Sequence, residues 1–516
     1  MPDDDPQAAL AAETEGRFLD ALRLVKERLA RAPDDADAIN LLGRLCEGGG
    51  DLASAIALQR LAVHLAPEHR LAGVDLARAL AAIPDRRGGR EAYDAAVARA
   101  PQIAIHHRVP GSLRPFPALA EVRELLCAAL ASDPSLALAH AALGNLLVRE
   151  ERFAEALVAY RRAIALEPGV AVFHLAAAEL AYVLGDEPAA NRHRGDALAR
   201  GRLFEEPQHE GMQSILVLAA DGPWPVNVPL DLIVDHERIA LHRLYLGDAA
   251  PHAEELPRFD LVFNAMSEYE AFGRQILAAQ RFVDSATVPV INAPRRLADT
   301  ARPRLREALR GVRGCLVPET RRCTRAEIEL QSHPPFPVAV RPVDAHGGSG
   351  LARIESRAEL DSYLAASSQE RFDLTAFVDY RDPDGWYRKY RIIFVDGVGY
   401  PYHLAISRSW IVHYVSSAMT EHAWMRAEEE RFLAAPQSVF PDWERTCVAL
   451  AAAIGLDYFG IDCAHLPGNE MLVFEADAAM LVHAHDRPDL FAYKHPHVAR
   501  IAQALASLFE RHAGGG

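Results

Sequence analysis

The chain has 516 residues, too many for one ordinary core at roughly 100–200 residues per domain, and half of them are hydrophobic, enough for several cores. Its formal charge of −16 argues against a nonspecific binder of nucleic acid or of anionic membranes, since either needs a basic surface. The cysteines (Cys46, Cys127, Cys315, Cys323, Cys447 and Cys463) lack CxxC spacing, which speaks against a zinc ribbon or a disulfide framework and for buried thiols. The start, MPDDDPQAAL, has neither the basic nor the apolar region of a secretory signal. No stretch reaches the roughly 18 uninterrupted apolar residues of a membrane span. The expectation is a cytoplasmic protein with no membrane and no nucleic-acid partner.

Prolines 33, 67, 101, 134 and 168 are spaced by 34, 34, 33 and 34 residues (67−33, 101−67, 134−101, 168−134), each after an alanine-rich helical pattern. Ala21, Ala55, Ala156 and Ala190 hold one slot in this pattern, and Ala62, Ala96, Ala163 and Ala197 hold another. Leu-Gly pairs stand at Leu42-Gly43 and Leu143-Gly144. Small side chains let antiparallel helices approach closely, and the proline ends the second helix of each unit. The unit 137–168 is nearly complete and 36–67 is good. Those ending at Pro101 and Pro134 are degraded, with 84-PDRRGG-89 and 107-HRVPGSLRPFP-117 expected to break the register. Residues 1 to about 33 are expected to supply only the second half of a repeat, and 171–204 a last, capping one. The pattern resembles the tetratricopeptide repeat. The resemblance implies an all-α solenoid over 1–205 whose concave face takes a peptide or protein segment, with assembly, as in a homodimer, as the alternative use.

After 198-LARGRLFEEPQHEG-211 the pattern becomes mixed. Strands are expected at 214-SILVLAA-220, 259-FDLVFNAMS-267 and 288-VPVINAP-294, with a helix over 269–284, the signature of a parallel α/β layer over 212–298. A helix near 299–312 and a strand at 315-CLVPETRR-322 open a new unit, 299–513. In it 337-PVAVRPVDAHGGSGL-351 reads as a strand ending in Arg341 and a glycine-rich turn. A hairpin turns at Asp396-Gly397, another at Pro467-Gly468-Asn469, and a helix spans about 496–512.

The second hairpin sets Asp462 opposite the strand end carrying Glu475 and Asp477, which are two apart and share a face. Three hard oxygen donors in an otherwise apolar segment call for a cation, and Mg2+ held by carboxylates and substrate phosphates is the natural one; pairing with arginines is the alternative. Arg302, Arg304, Arg341, Arg388 and Arg391 could serve the phosphates. Arg388 and Arg391 are three apart on a strand, so at most one faces the site.

The order of these parts resembles the ATP-grasp superfamily, in the branch of D-alanine–D-alanine ligase and glutathione synthetase. The resemblance implies a multidomain chain: an all-α tetratricopeptide solenoid, then an α/β pre-ATP-grasp domain and α+β ATP-grasp lobes. It implies ATP and Mg2+ as cofactors. By the same resemblance Arg302 and Arg341 fall where the family has nucleotide lysines, and His346, Gly347, Gly348, Ser349 and Gly350 on its lid. Thr375, Phe377 and Val378 fall on the adenine hinge. Arg341, Arg388 and Arg391 fall on catalytic cations, and Asp462, Glu475 and Asp477 on the metal signature. His403, Arg408, His413, His483 and His485 border the acceptor region. Arginine replaces both lysines, aspartate replaces the metal-binding asparagine, and Thr375 stands near the usual hinge glutamate. The implied activity is ADP-forming ligation of a carboxylate, activated as an acyl phosphate, to an amine or thiol of a peptide or protein presented by the repeats. A small-molecule ligase with repeats for assembly, and an ATP-binding scaffold without catalysis, are the alternatives.

Overall fold

The computed structural model describes residues 8–67, 69–81, 86–106, 108, 119–248, 251, 256–267, 270–330, 335–343, 345, 348–414 and 416–513. It divides into two compact units, Met1–Pro101 with Pro117–His140, and Gln102–Phe116 with Ala141–Gly516. No helix among the described residues is long and apolar enough to cross a membrane.

The first unit consists of antiparallel helices. Asp35 and Asp51 cap the helices Ala36–Gly48 and Leu52–Leu65 by accepting from the Ala38 and Ser54 amides, satisfying donors that the helix itself leaves free. Of the segments expected to break the register, 84–89 behaves otherwise from Arg86 on: the helix Arg86–Arg99 begins there. Gly89 lies so close to the helix Leu119–Ser132 that a Cβ on it would meet Asp133 Cβ at 2.7 Å. The glycine is a helix-contact residue rather than a breaker. Most of 107–117 lies outside the described residues; between Pro101 and Pro134 they hold a turn, Pro101–Ala104, and one helix.

Helices continue through Arg200 in the second unit, as Phe153–Leu166, Ala171–Val183 and Glu187–Arg200. The two alanine slots of the repeat are all buried at 1% exposure or less, as close helix packing requires. The Leu-Gly pair has the same origin, because a Cβ on Gly144 would stand 2.6 Å from the Tyr160 ring. Leu175, Ala197 and Leu198 of the last helical hairpin pack with Phe204, Ala219 and Tyr245 of the first sheet.

That sheet has five strands, β1 (Leu203–Phe204), β2 (Gln213–Ala220), β3 (Ile239–Leu246), β4 (Leu261–Asn264) and β5 (Val290–Ile291), in the order β1-β3-β2-β4-β5. All neighbours are parallel except β1, the α/β layer expected. Sequence reading missed β3, because His242 and Arg243 interrupt its apolar run; both are buried, and Arg243 is paired with Asp231 Oδ2 at 2.5 Å.

The stretch 315–322, read as one strand, is two. β6 (Cys315–Leu316) and β7 (Thr320–Thr324) belong to different sheets. The second sheet, β7-β10-β8-β9, is antiparallel and adds β8 (Val338–Pro342), β9 (Ala352–Ile354) and β10 (Arg371–Ala376). The third, β12-β11-β13-β14-β6, contains both predicted hairpins, β11 (Tyr387–Val395) with β12 (Val398–Ser407), and β13 (Tyr458–Leu466) with β14 (Glu470–Asp477). Asp396 and Gly397 have φ of 49° and 79°, and Gly468 and Asn469 of 88° and 63°, the left-handed values such turns require. The closing helix His495–Ala513 covers Ile393, Val395 and Tyr458 with Val498, Ile501 and Leu505. All six cysteines are free; Cys447 and Cys463 are buried as expected, whereas Cys127 is exposed.

A buried charge cluster lies where the helices meet the first sheet. Arg108 grips Glu206 with two bonds of 2.8 and 2.9 Å, and His236 Nδ1 is 3.5 Å away. Burial pushes the Glu206 carboxyl up, but the nearby His236 and the hydrogen bonds and charge of Arg108 outweigh it and hold it well below the usual range. A depressed carboxyl contributes stability that is present above its unfolded value and lost as pH falls toward the folded one. Glu206→Gln is therefore expected to destabilise this unit at pH 7 by about 3–5 kcal/mol, the cost of breaking a buried pair. In denaturant titrations the gap to wild type should shrink once the pH drops below about 4; a gap independent of pH would contradict the assignment.

Candidate functional site

The second and third sheets enclose a cleft of about 290 Å³ that reaches the end of the first sheet at Ser267. Its charged wall follows from strand register. Arg391 on β11 pairs with Asp462 on β13, which pairs with Glu475 on β14, and Asp477 stands opposite Gly460. The acids therefore share one face, as expected. Lys389, two residues before Arg391, shares it as well.

Each acid has a partner. Arg391 donates to both Asp462 oxygens, at 2.7 and 3.0 Å, and Lys389 Nζ adds a bond of 2.8 Å to Oδ2. Arg302 Nη2 donates to Glu475 Oε2 at 2.5 Å. Asp477 Oδ1 accepts from the Ser267 hydroxyl and, at 2.8 Å, from the Ala479 amide. Burial raises the Asp462 carboxyl, but the charges of Arg391 and Lys389 override it and pull it far down. Glu475 is likewise raised by burial and lowered more by Arg302. Asp477, bonded to no cation among the described residues, is shifted up by burial. The three acids are thus shifted in opposite directions, Asp462 and Glu475 toward the ionised form and Asp477 toward the protonated one.

The acids do not form a ready-made cage. Among the described residues the one group of three potential ligands with atoms within 4.8 Å of one another lies elsewhere. Two carboxylates on adjacent strands still fit magnesium, which keeps water or phosphate in much of its shell and needs only one or two protein acids.

The opposite wall comes from β8, β10 and the loop after β8. Arg341 lines the cleft and donates to the Ala345 carbonyl. Gly348 and Gly350 have φ of 74° and 65°. A Cβ on Gly348 would approach His413 Nε2 to 2.5 Å, so glycine is needed for contact with the 408–414 loop. His413 lines the cleft beside Gly348, whereas Ser349 and Gly350 are exposed and outside the lining. His346 and Gly347 lie outside the described residues. Thr375, Phe377 and Val378 all line the cleft. The Ala376 and Phe377 amides are bonded to the Glu319 and Pro337 carbonyls, which fixes this turn, and Phe377 meets Trp410 edge-on at 5.3 Å.

Other expected residues are placed elsewhere. Arg388, on the opposite face of β11, is held by Asp382, Asp384 and Glu428 at 2.7, 2.8 and 2.5 Å and does not reach the cleft. Strand alternation decides this: of Arg388 and Arg391 only the latter shares the face of Asp462. Arg408 stacks on Trp386 at 3.9 Å. His403 is buried behind the lining against Tyr414, and burial together with Arg391 keeps it neutral. His483 and His485 stack on each other at 5.9 Å, outside the lining. Sequence reading overlooked Lys389, although its two-residue spacing from Arg391 carried the signal. It also overlooked Lys494, fully buried, bonded to Tyr414 at 3.1 Å and paired with Asp486 at 2.6 Å. Nothing local in 491-FAYKHPH-497 marks that lysine as buried.

Asp462→Asn would leave two half-buried cations facing a neutral amide and is expected to cost about 3 kcal/mol in denaturant unfolding, the low end for a buried pair. Arg391→Met combined with Asp462→Asn should cost less than the sum of the two single losses, Lys389 alone remaining without its partner. Additive losses would show that the pair is not coupled.

The tetratricopeptide repeat family matches residues 137–170. No curated protein matches the sequence. The chain is similar in structure to VanG D-Ala:D-Ser ligase from Enterococcus faecalis, at 13% identity and TM-score 0.38, covering 58% of this chain and 99% of that one. D-alanine–D-alanine ligase from Bacillus anthracis, complexed with ATP, is similar at 14% identity and TM-score 0.38, over 59% of this chain and 99% of that one. The ATP-grasp ligase PsnB, complexed with precursor peptide PsnA2 and AMPPNP, is similar at 14% identity and TM-score 0.34, over 59% and 99%.

Proposed function

We propose that the cleft binds ATP with magnesium and that the protein is an ADP-forming ligase. In this reading it activates a carboxylate as an acyl phosphate and joins it to an amine or thiol. The observation that carries the reading is the pairing of opposed charges in one enclosed space. Arg341 on one sheet faces a wall where Lys389, Arg391 and Arg302 alternate with Asp462, Glu475 and Asp477. A polyphosphate with its cation is the ligand whose charges complement both sets at once.

Thr375 to Val378, with the Phe377 and Trp410 rings, form the less charged end that would take the base. Arg302, Arg341, Lys389 and Arg391 would neutralise phosphate oxygens. Arginine at 302 and 341 keeps the charge and adds two-pronged contact. Asp462 and Glu475, with Asp477 beside them, would hold magnesium, which when bound offsets the repulsion between the attacking carboxylate and the γ-phosphate. The substrate oxygen then bonds to phosphorus as ADP leaves, and the incoming amine bonds to the acyl carbon as phosphate leaves. Gly348 and its contact on His413 would close the cleft against water.

Residues 1–205 would present a peptide or protein substrate, 212–298 would form its side of the site, and 299–513 would be the ATP-grasp lobes. The test is ADP release from ATP with peptides bearing free carboxylates and amines. Glu475→Gln should lower the rate by about 100-fold or more, the usual cost of losing one group that stabilises transition-state charge. Equal rates in the two proteins would sink the reading, and ATP binding without any ADP release would favour a nucleotide-sensing scaffold.

A further inference from the structure

The last helical hairpin carries a cluster that the cleft chemistry leaves unused. His174 lies on the helix Ala171–Val183, and His193 and Asp196, three residues apart on one face, lie on Glu187–Arg200. Among the described residues these three form the one group of metal-ligating side chains whose ligand atoms all lie within 4.8 Å of one another.

The His174 proton is placed for ligation. His174 is 5% exposed, and its Nε2 is 3.0 Å from the Pro168 carbonyl. A carbonyl only accepts, so the proton is on Nε2 and the lone pair on Nδ1. That Nδ1 is buried without a hydrogen-bond partner, and so is His193 Nδ1. Buried polar atoms normally have partners, and two orphans in neighbouring rings, with centroids 5.8 Å apart, ask for one shared ligand. Asp196 Oδ2 is 3.9 Å from His174 Nδ1. Its other oxygen accepts from Arg200 Nη1 at 3.3 Å, and Arg200 Nε donates to the same Pro168 carbonyl at 2.9 Å. Outer contacts of this kind fix the tautomer and orientation of metal-binding side chains.

We propose that His174, His193 and Asp196 bind a divalent transition metal of the zinc type, with water completing the shell. Two imidazoles and one carboxylate suit zinc and not magnesium. Zinc–ligand bonds near 2.1 Å set ligand atoms roughly 3.4 Å apart in a tetrahedron, so the site would close from 3.9 Å between His174 and Asp196, and from within 4.8 Å across the three, as the metal enters. The neighbours Leu175, Ala197 and Leu198 form the apolar seam with the first sheet. The metal would therefore clamp the two helices that carry that seam.

The experiment titrates Zn2+ into the metal-stripped full-length chain by chelator competition, in excess Mg2+ to occupy hard-oxygen sites. Wild type should take up one tight equivalent more than His193→Ala or Asp196→Asn, whose affinity there falls by about 100-fold or more. His483→Ala should keep that equivalent. Co2+ should give visible bands of a tetrahedral site in wild type and not in the two variants. Because replacing buried His174 also disturbs packing, the other two positions carry the test, with circular dichroism confirming their fold. Equal uptake in wild type and both variants, or no tight uptake by wild type, would overturn the site.

Discussion

A row of paired charges across three strands, half-buried around a fully buried Asp462, sets the terms for the second unit. Arg391, Asp462 and Glu475 are consecutive partners on β11, β13 and β14, and Arg302 completes the row. Charges at this depth are tolerable only when paired. A slip of one residue would carry them to the other face of the sheet, where Tyr390, Ile392, Phe394 and Phe459 belong to the largest core. The cleft face of β11 also changes character along its length. Lys389 and Arg391 are followed on the same side by Ile393 and Val395, which pack under the closing helix. One strand thus anchors the sheet at one end and supplies cations at the other.

This pairing connects structure to the proposed chemistry. Without a polyphosphate, the acids and bases of the cleft neutralise each other. In the proposed complex the bases turn to phosphate oxygens and the acids to magnesium, so the number of buried unpaired charges stays low in both states. The exchange also explains why the acids can stand apart: the ligand, rather than the protein alone, completes the coordination shell.

Much of this was legible in the chain. Turn residues at 396–397 and 467–469 fixed two hairpins, and the two-residue spacing of Glu475 and Asp477 put them on one face. The spacing of prolines and small residues marked the repeats, since close helix packing leaves room only for Ala and Gly. What escaped depends on partners far away in sequence. β3 hid behind a buried arginine whose partner is Asp231. Gly89 read as a breaker until the helix opposite it was in place. Asp462 suggested a cation, and the cations it meets are Lys389 and Arg391. Lys494 and the His174, His193 and Asp196 cluster have no local signature, because their surroundings are assembled from other helices and loops.

The central claim is that the charges of the cleft exchange partners with a magnesium–nucleotide complex. Calorimetric titration of the full-length protein with a non-hydrolysable ATP analogue, with and without Mg2+, tests it most directly. The account predicts saturable binding that Mg2+ strengthens by about tenfold or more, each tenfold being about 1.4 kcal/mol, with that gain lost in Asp462→Asn. Binding of equal strength with and without Mg2+, or no binding, would contradict it.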